Sequence, residues 1–182
     1  METFLLSFFL VLYIIVRYYT TDHDTPSEKD RKRLAEGIAL FEAGRFSEAQ
    51  VYFDQKVKEN RRSAIAYAYR GKCNVKDDNT YSALYDFAEA LSFDTTLDEV
   101  HLEKGTLHYQ LGEYNDAFLC FDKAVWFSRG ETPDAFRWRA LARLKLHQHS
   151  QAERDLYKAV QLGDEDAAFV LSQPPFARRV RI

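Results

Sequence analysis

The chain has 182 residues, 46% of them apolar and 29% charged, a composition that supports one cored domain and excludes a disordered or low-complexity chain. Its 25 Lys and Arg stand against 28 Asp and Glu, a formal net charge of −3, without the basic excess of a general nucleic-acid binder. Two cysteines, Cys73 and Cys120, exclude a disulfide framework or a Cys-based zinc site, and the scarcity of breakers, seven Gly and four Pro, points to an all-α chain.

The first element is apolar. Phe4 to Val16 reads FLLSFFLVLYIIV, shorter than the roughly 20 residues of a spanning helix. Counted from Met1 to Thr21, however, a helix is about 31 Å long at 1.5 Å per residue. Arg17, Tyr18 and Tyr19 suit a headgroup boundary. Glu2, the lack of a basic start and the lack of a small-x-small site argue against a cleaved signal peptide; a buried core helix is the other alternative. The expectation is an uncleaved transmembrane anchor over 1–21. Arg17, Lys29, Arg31, Lys32 and Arg33 then place the rest of the chain on the cytoplasmic side. A polar linker, 22–29, follows, with Thr25 or Ser27 as N-cap of the next helix.

From there a period governs the chain. Gly37, Gly71 and Gly105 are spaced by 34, as are Ala49, Ala83 and Ala117, and Phe53, Phe87 and Phe121. Ala152 and Leu156 continue the last two columns after 35, and the extra residue falls in SRGETP, where a loop absorbs it at little cost. Each period predicts two helices around a turn: 28–43 and 47–60, 63–77 and 81–93, 97–111 and 114–128, then 133–147 and 150–162. The repeats are about 30–63, 64–97, 98–131 and 133–163. A residue without bulk on each helix lets the backbones approach, and a hairpin of this kind needs neighbours to cover its faces. Residues 164–172 predict a capping helix, and 173–182 a basic tail.

The pattern G…A-x3-F…A at a period of 34, fullest in HLEKGTLHYQLGEYNDAFLCFDKAV, resembles the tetratricopeptide repeat family. Departures are His101 and Tyr67 in place of the frequent Trp, Arg61 and Thr95 in place of the frequent Pro, and a second turn, KDDNTY, without Gly. The resemblance implies a right-handed superhelix of about four hairpins that binds protein or peptide partners in a concave groove. Taking the Gly/Ala column as zero, positions −3, +1 and +4 form one stripe on each first helix. They are Leu34, Ile38 and Phe41; Ala68, Lys72 and Val75; Leu102, Thr106 and Tyr109; and Arg137, Leu141 and Leu144. By the resemblance, this stripe lines the groove. The family's chaperone-tail binders carry Lys, Asn and Arg there, and Leu34, Ile38 and Ala68 break that pattern. A groove this apolar is filled either by an outside partner or by the chain's own terminal helix or 20–28 segment.

Two further patterns carry charge. Arg70 and Asp86, and Arg139 and Asp155, recur at a separation of 16 in equivalent places, which predicts an ion pair inside each repeat rather than a catalytic site. His101 and His108 stand two turns apart without a third ligand at metal spacing, and His147 and His149 fall in a turn. No Ser/His/Asp set, phosphate loop or H-E-x-x-H is present, so the sequence predicts no enzyme, no metal and no cofactor. The expected function is a membrane-anchored interaction adaptor. Its rivals are a homo-oligomeric structural protein of a membrane complex and, more remotely, a His-based metal protein.

Overall fold

The structure, a computed structural model, describes residues 2–20 and 24–177. Eleven helices and no strand occur among the described residues: α1 (Glu2–Thr20), α2 (Pro26–Arg33), α3 (Ala35–Glu42), α4 (Phe46–Glu59), α5 (Ala64–Lys76), α6 (Thr80–Phe93), α7 (Asp98–Gln110), α8 (Tyr114–Phe127), α9 (Pro133–Lys145), α10 (His149–Gln161) and α11 (Glu165–Ser172). Residues 1 and 21 of the expected anchor, 22–23 of the expected linker and 178–182, half of the expected basic tail, lie outside the described residues.

Local chemistry sets the helix starts. Thr25 Oγ1 accepts from the Glu28 N–H at 3.2 Å while Glu28 Oε2 accepts from the Thr25 N–H at 2.5 Å, a capping box followed by Pro26. Ser63 caps α5 through the Ala66 N–H and Asp164 caps α11 through the Ala167 N–H. Thr132 precedes Pro133 at the start of α9, but its side chain makes no capping bond.

Four hairpins, α3–α4, α5–α6, α7–α8 and α9–α10, stack in chain order, and α11 covers α10. The Gly columns show why each hairpin closes tightly. A Cβ added at Gly71 would stand 2.7 Å from the Phe87 ring, and one at Gly105 2.5 Å from Phe121. Phe53, Phe87, Phe121 and Leu156 are fully buried against them, with Ala49, Ala83, Ala117 and Ala152. The turns share one geometry. Gly44, Asp78, Gly112 and His147 all have positive φ, between 57° and 81°, and the next residue's N–H bonds back to the carbonyl five residues earlier in every case. The left-handed position is therefore kept in KDDNTY and in the His147 turn without glycine. Arg129 and Gly130, also at positive φ, take up the extra residue before α9.

One expectation requires revision. The helix predicted over 28–43 is interrupted at Leu34 (φ −98°, ψ 12°), which separates α2 from α3. The start of the chain is helical, but among the described residues no helix is long and apolar enough to cross a membrane. Side chains of α1 are described over 7–17, and all are exposed, Phe8, Leu10, Ile14 and Val16 each by more than half. Successive residues point 100° apart, so this apolar surface runs round the whole helix. The buried-core alternative is thereby overturned. The side chains of Tyr18 and Tyr19 lie outside the described residues.

Candidate functional site: the face of the first helices

Equivalent positions on successive first helices differ in burial, and the difference locates what covers them. On α5, Ala64, Ile65, Ala68 and Tyr69 are buried; one repeat later on α7, Asp98, Glu99, Leu102 and Glu103 are only half-buried. The cover on α5 is α2. From the break at Leu34 it packs against α5 and reaches past it. Ser27 Oγ donates to the Asp94 carboxylate at the end of α6, and Arg31 pairs with Glu99 at the start of α7. Arg31 and Glu99 occupy the same place in repeats one and three, so the contact spans a whole hairpin. Burial alone would raise the Asp94 carboxyl, but hydrogen bonds from Ser27 and from Thr96 hold it below its ordinary value.

The predicted stripe divides accordingly. Leu34 is buried at the break and presents nothing to solvent. Ile38, Phe41 and Val75 are half-buried against the core of the first two hairpins, Phe41 edge-on to Tyr69 at 5.7 Å. Lys72 lies over the Tyr69 ring at 4.8 Å. Tyr109 meets Trp138 of the next hairpin at 5.6 Å, and Trp138 stacks on Phe121 at 5.9 Å. These residues serve the seam between hairpins as well as any groove. Arg137 is held by Asp134 at 2.6 Å and Asp164 at 2.8 Å, which ties α9 to the capping helix. Thr106 Oγ1 donates to the Glu103 carbonyl, and Leu102, Leu141 and Leu144 are half-buried. Beside Leu102 a cleft of 220 Å³ is lined by Asp98, Glu99, Ala124, Thr132 and Ala135. The open part of this face is apolar at its floor and acidic at its rim.

The two charge patterns resolve differently. Arg139 forms a bidentate pair with Asp155 at 2.9 and 2.7 Å and reaches Asp122 of the preceding hairpin at 2.7 Å; Arg143 adds a bond to Asp155 at 2.5 Å. Arg70 repeats this with Asp86, Asp54 and Asn74. Each guanidinium thus joins three successive helices. The third repeat has Lys104 and Cys120 at the paired positions and Ala88 in place of the reaching Asp. His101 and His108 do not converge. His101 is buried, Nε2 on the Thr95 carbonyl at 2.9 Å and stacked on Phe127, and burial keeps its imidazole below the usual value. His108 instead pairs with Glu113 at 2.6 Å, with Asp116 nearby, at the α7–α8 turn. Burial pushes the Cys73 thiol up to about 12 and raises Cys120 as well, so neither is an activated nucleophile.

Sequence reasoning missed Ser27, Arg31, Asp94 and Trp138. The signal for Arg31 and Glu99 was present, a separation of 68 or two periods, but same-phase residues two repeats apart meet only because the helix breaks at Leu34.

A stack of helix hairpins at a period of 34, closed by Gly or Ala against Phe or Leu, defines a helical-repeat protein that presents its first helices on one face. The fold is that of the tetratricopeptide repeat. No family model matches the sequence. Among solved structures, the crystal structure of MamA superposes with a TM-score of 0.66 at 19% identity, covering 86% of this chain and 87% of that one. Pseudomonas aeruginosa PilF gives 0.69 at 18% identity, over 79% of this chain and 67% of that one. The first tetratricopeptide domain of Spaghetti (RPAP3), bound to the HSP90 peptide SRMEEVD, gives 0.56 at 18% identity over 59% and 86%.

Proposed function

We propose that the chain is a non-enzymatic protein-interaction module held at a membrane by residues 1–21, with the repeat array on the cytoplasmic side. It captures a peptide or helix of a protein partner on its concave face. The observation that carries the reading is the cleft at the start of α7 and α9, which Leu102 borders together with Asp98, Glu99, Ala124, Thr132 and Ala135 and which no segment of the described chain fills; Thr106, Leu141 and Leu144 stay half-buried further along the same two helices. The domain bound to SRMEEVD supports peptide capture by this fold. The continuous exposed apolar surface of α1 supports the membrane part, because a helix apolar on all sides needs lipid or protein around it.

Site-specific photocrosslinking tests the interaction. A benzophenone residue at Thr106 yields a discrete crosslinked partner in membranes, while one at Tyr85, exposed on α6, does not. The reverse pattern moves recognition to the second helices. Carbonate extraction tests the anchor: the full chain stays in the pellet, and its release overturns membrane attachment.

A further inference from the structure

The face just described already has an occupant over half its length. α2 carries Lys29, Arg31, Lys32 and Arg33 against Glu28 and Asp30, and it lies on a face that presents Asp94, Asp98, Glu99 and Glu103. Its contacts with the repeats are mainly polar: Arg31 on Glu99 and on the Tyr69 hydroxyl, Ser27 on Asp94, with Leu34 as a buried apolar anchor. Arg31 and Glu99 each keep 34% of their side-chain surface exposed. An eight-residue helix is too short to be stable alone in water, and a segment held by polar, partly exposed contacts opens before the core does. The break at Leu34 supplies the joint. α3 keeps its own packing on α4, so α2 can leave without the first hairpin coming apart.

We propose that α2 is a resident ligand of the first-helix face, and that the partner is a basic helical segment of the same chemistry which displaces it. The arriving segment sets an Arg or Lys against Glu99 and a hydroxyl or amine against Asp94, with an apolar residue where Leu34 or Leu102 is covered. The inference rests on the peptide-capture reading and narrows it, since it excludes acidic peptides from this face. At the edge of the footprint of α2 the same chemistry continues, because the cleft beside Leu102 is rimmed by Asp98 as well as by Glu99. Arg137, the guanidinium on this face of α9, is neutralised by Asp134 and Asp164.

The test uses the full chain in detergent micelles and a fluorescent peptide copying residues 24–36. A docked α2 lowers the apparent affinity in proportion to the fraction of chains that are open. The wild-type chain therefore binds the peptide weakly, and Arg31→Glu binds it at least about tenfold more tightly, a gain of roughly 1.4 kcal/mol. Adding Glu99→Arg to Arg31→Glu restores a pair of opposite sign inside the chain and returns the affinity to the weak value. Equal affinity for all three overturns the proposal. Tighter binding of the acidic peptide SRMEEVD than of the basic one overturns it too.

A second variant guards against unfolding by Arg31→Glu. Ser27→Cys with Asp94→Cys, oxidised, locks α2 down and abolishes peptide binding, and reductant restores it; a lock without effect counts against the proposal. Light scattering that shows a dimer lost in Glu99→Arg places α2 on a neighbouring copy and overturns the intramolecular contact. Failure here with crosslinking at Thr106 intact leaves peptide capture standing. Success here without that crosslink keeps α2 as a displaceable cover and confines partner capture to the start of α7 around Glu99, away from Thr106.

Discussion

Gly105 and Phe121 are shaped to each other. The ring occupies the space a Cβ would need, 2.5 Å from its place, while the fourth hairpin uses Ala140 with the smaller Leu156, both fully buried. Gly105→Ala should therefore destabilise by about 1–3 kcal/mol through overpacking, only partly offset by the better helix propensity of Ala. The double change Gly105→Ala with Phe121→Leu, which copies the fourth hairpin, should recover part of that loss. Thermal melting of the single and double variants checks this, and a further drop in the double would refute it. His101 gives a pH prediction. Burial lowers its pKa in the fold, with Lys104 and Lys123 adding to the effect and Asp98 and the Thr95 carbonyl opposing it. The unfolded chain thus binds the proton more readily, so the stability is complete above about pH 6.5 and declines as pH falls below it. His101→Phe, which keeps the stack on Phe127, should show a smaller fall in Tm between pH 7 and 5.5 than the wild type. An equal fall would assign the dependence to other groups.

At the scale of elements, helix pairs were legible and helix breaks were not. The columns of Gly, Ala and Phe state directly which faces meet, because close approach demands small residues at fixed spacing. The Arg70–Asp86 and Arg139–Asp155 pairs were legible for the same reason, an offset repeated in two hairpins. What stayed hidden was the division of α2 from α3. No Gly or Pro stands at Leu34, and a polar helix first turn looks the same whether it runs straight or bends away. Asp78 and His147 were hidden too, since their left-handed conformation carries no glycine signature. The candidate groove suffered most: its helical phase was readable, but its cover, α2, and its second duty in the Phe41–Tyr69 and Tyr109–Trp138 seams depend on contacts between repeats. The ladder through Arg139 offers a quantitative test. Its guanidinium and the Asp155 carboxylate are largely buried, at 13% and 7% side-chain exposure. Arg139→Met should cost about 1.5–3 kcal/mol, the worth of a hydrogen bond to a charged group, and Arg139→Met with Asp155→Leu should cost less than the sum of the single changes. Strict additivity in the double-mutant cycle would show that the pair contributes nothing beyond its separate members.

At the scale of the whole molecule, hairpins touch mainly their neighbours, and stability is close to a sum of local terms. The long reach from α2 to α7 changes that by closing repeats one and three over repeat two. It also sets a length. Six residue steps separate Thr20, the end of α1, from Pro26, the start of α2, and a chain covers at most about 22 Å in that number. With α1 in a bilayer, as proposed, a docked α2 is a short leash that keeps the second hairpin close above the lipid headgroups. Release of α2 pays out the nine steps from Pro26 to Ala35 as well, about 30 Å more when extended. The same event that bares Glu99 and Asp94 would thus let the array stand off the membrane, so partner capture and distance from the lipid surface would be set by a single contact.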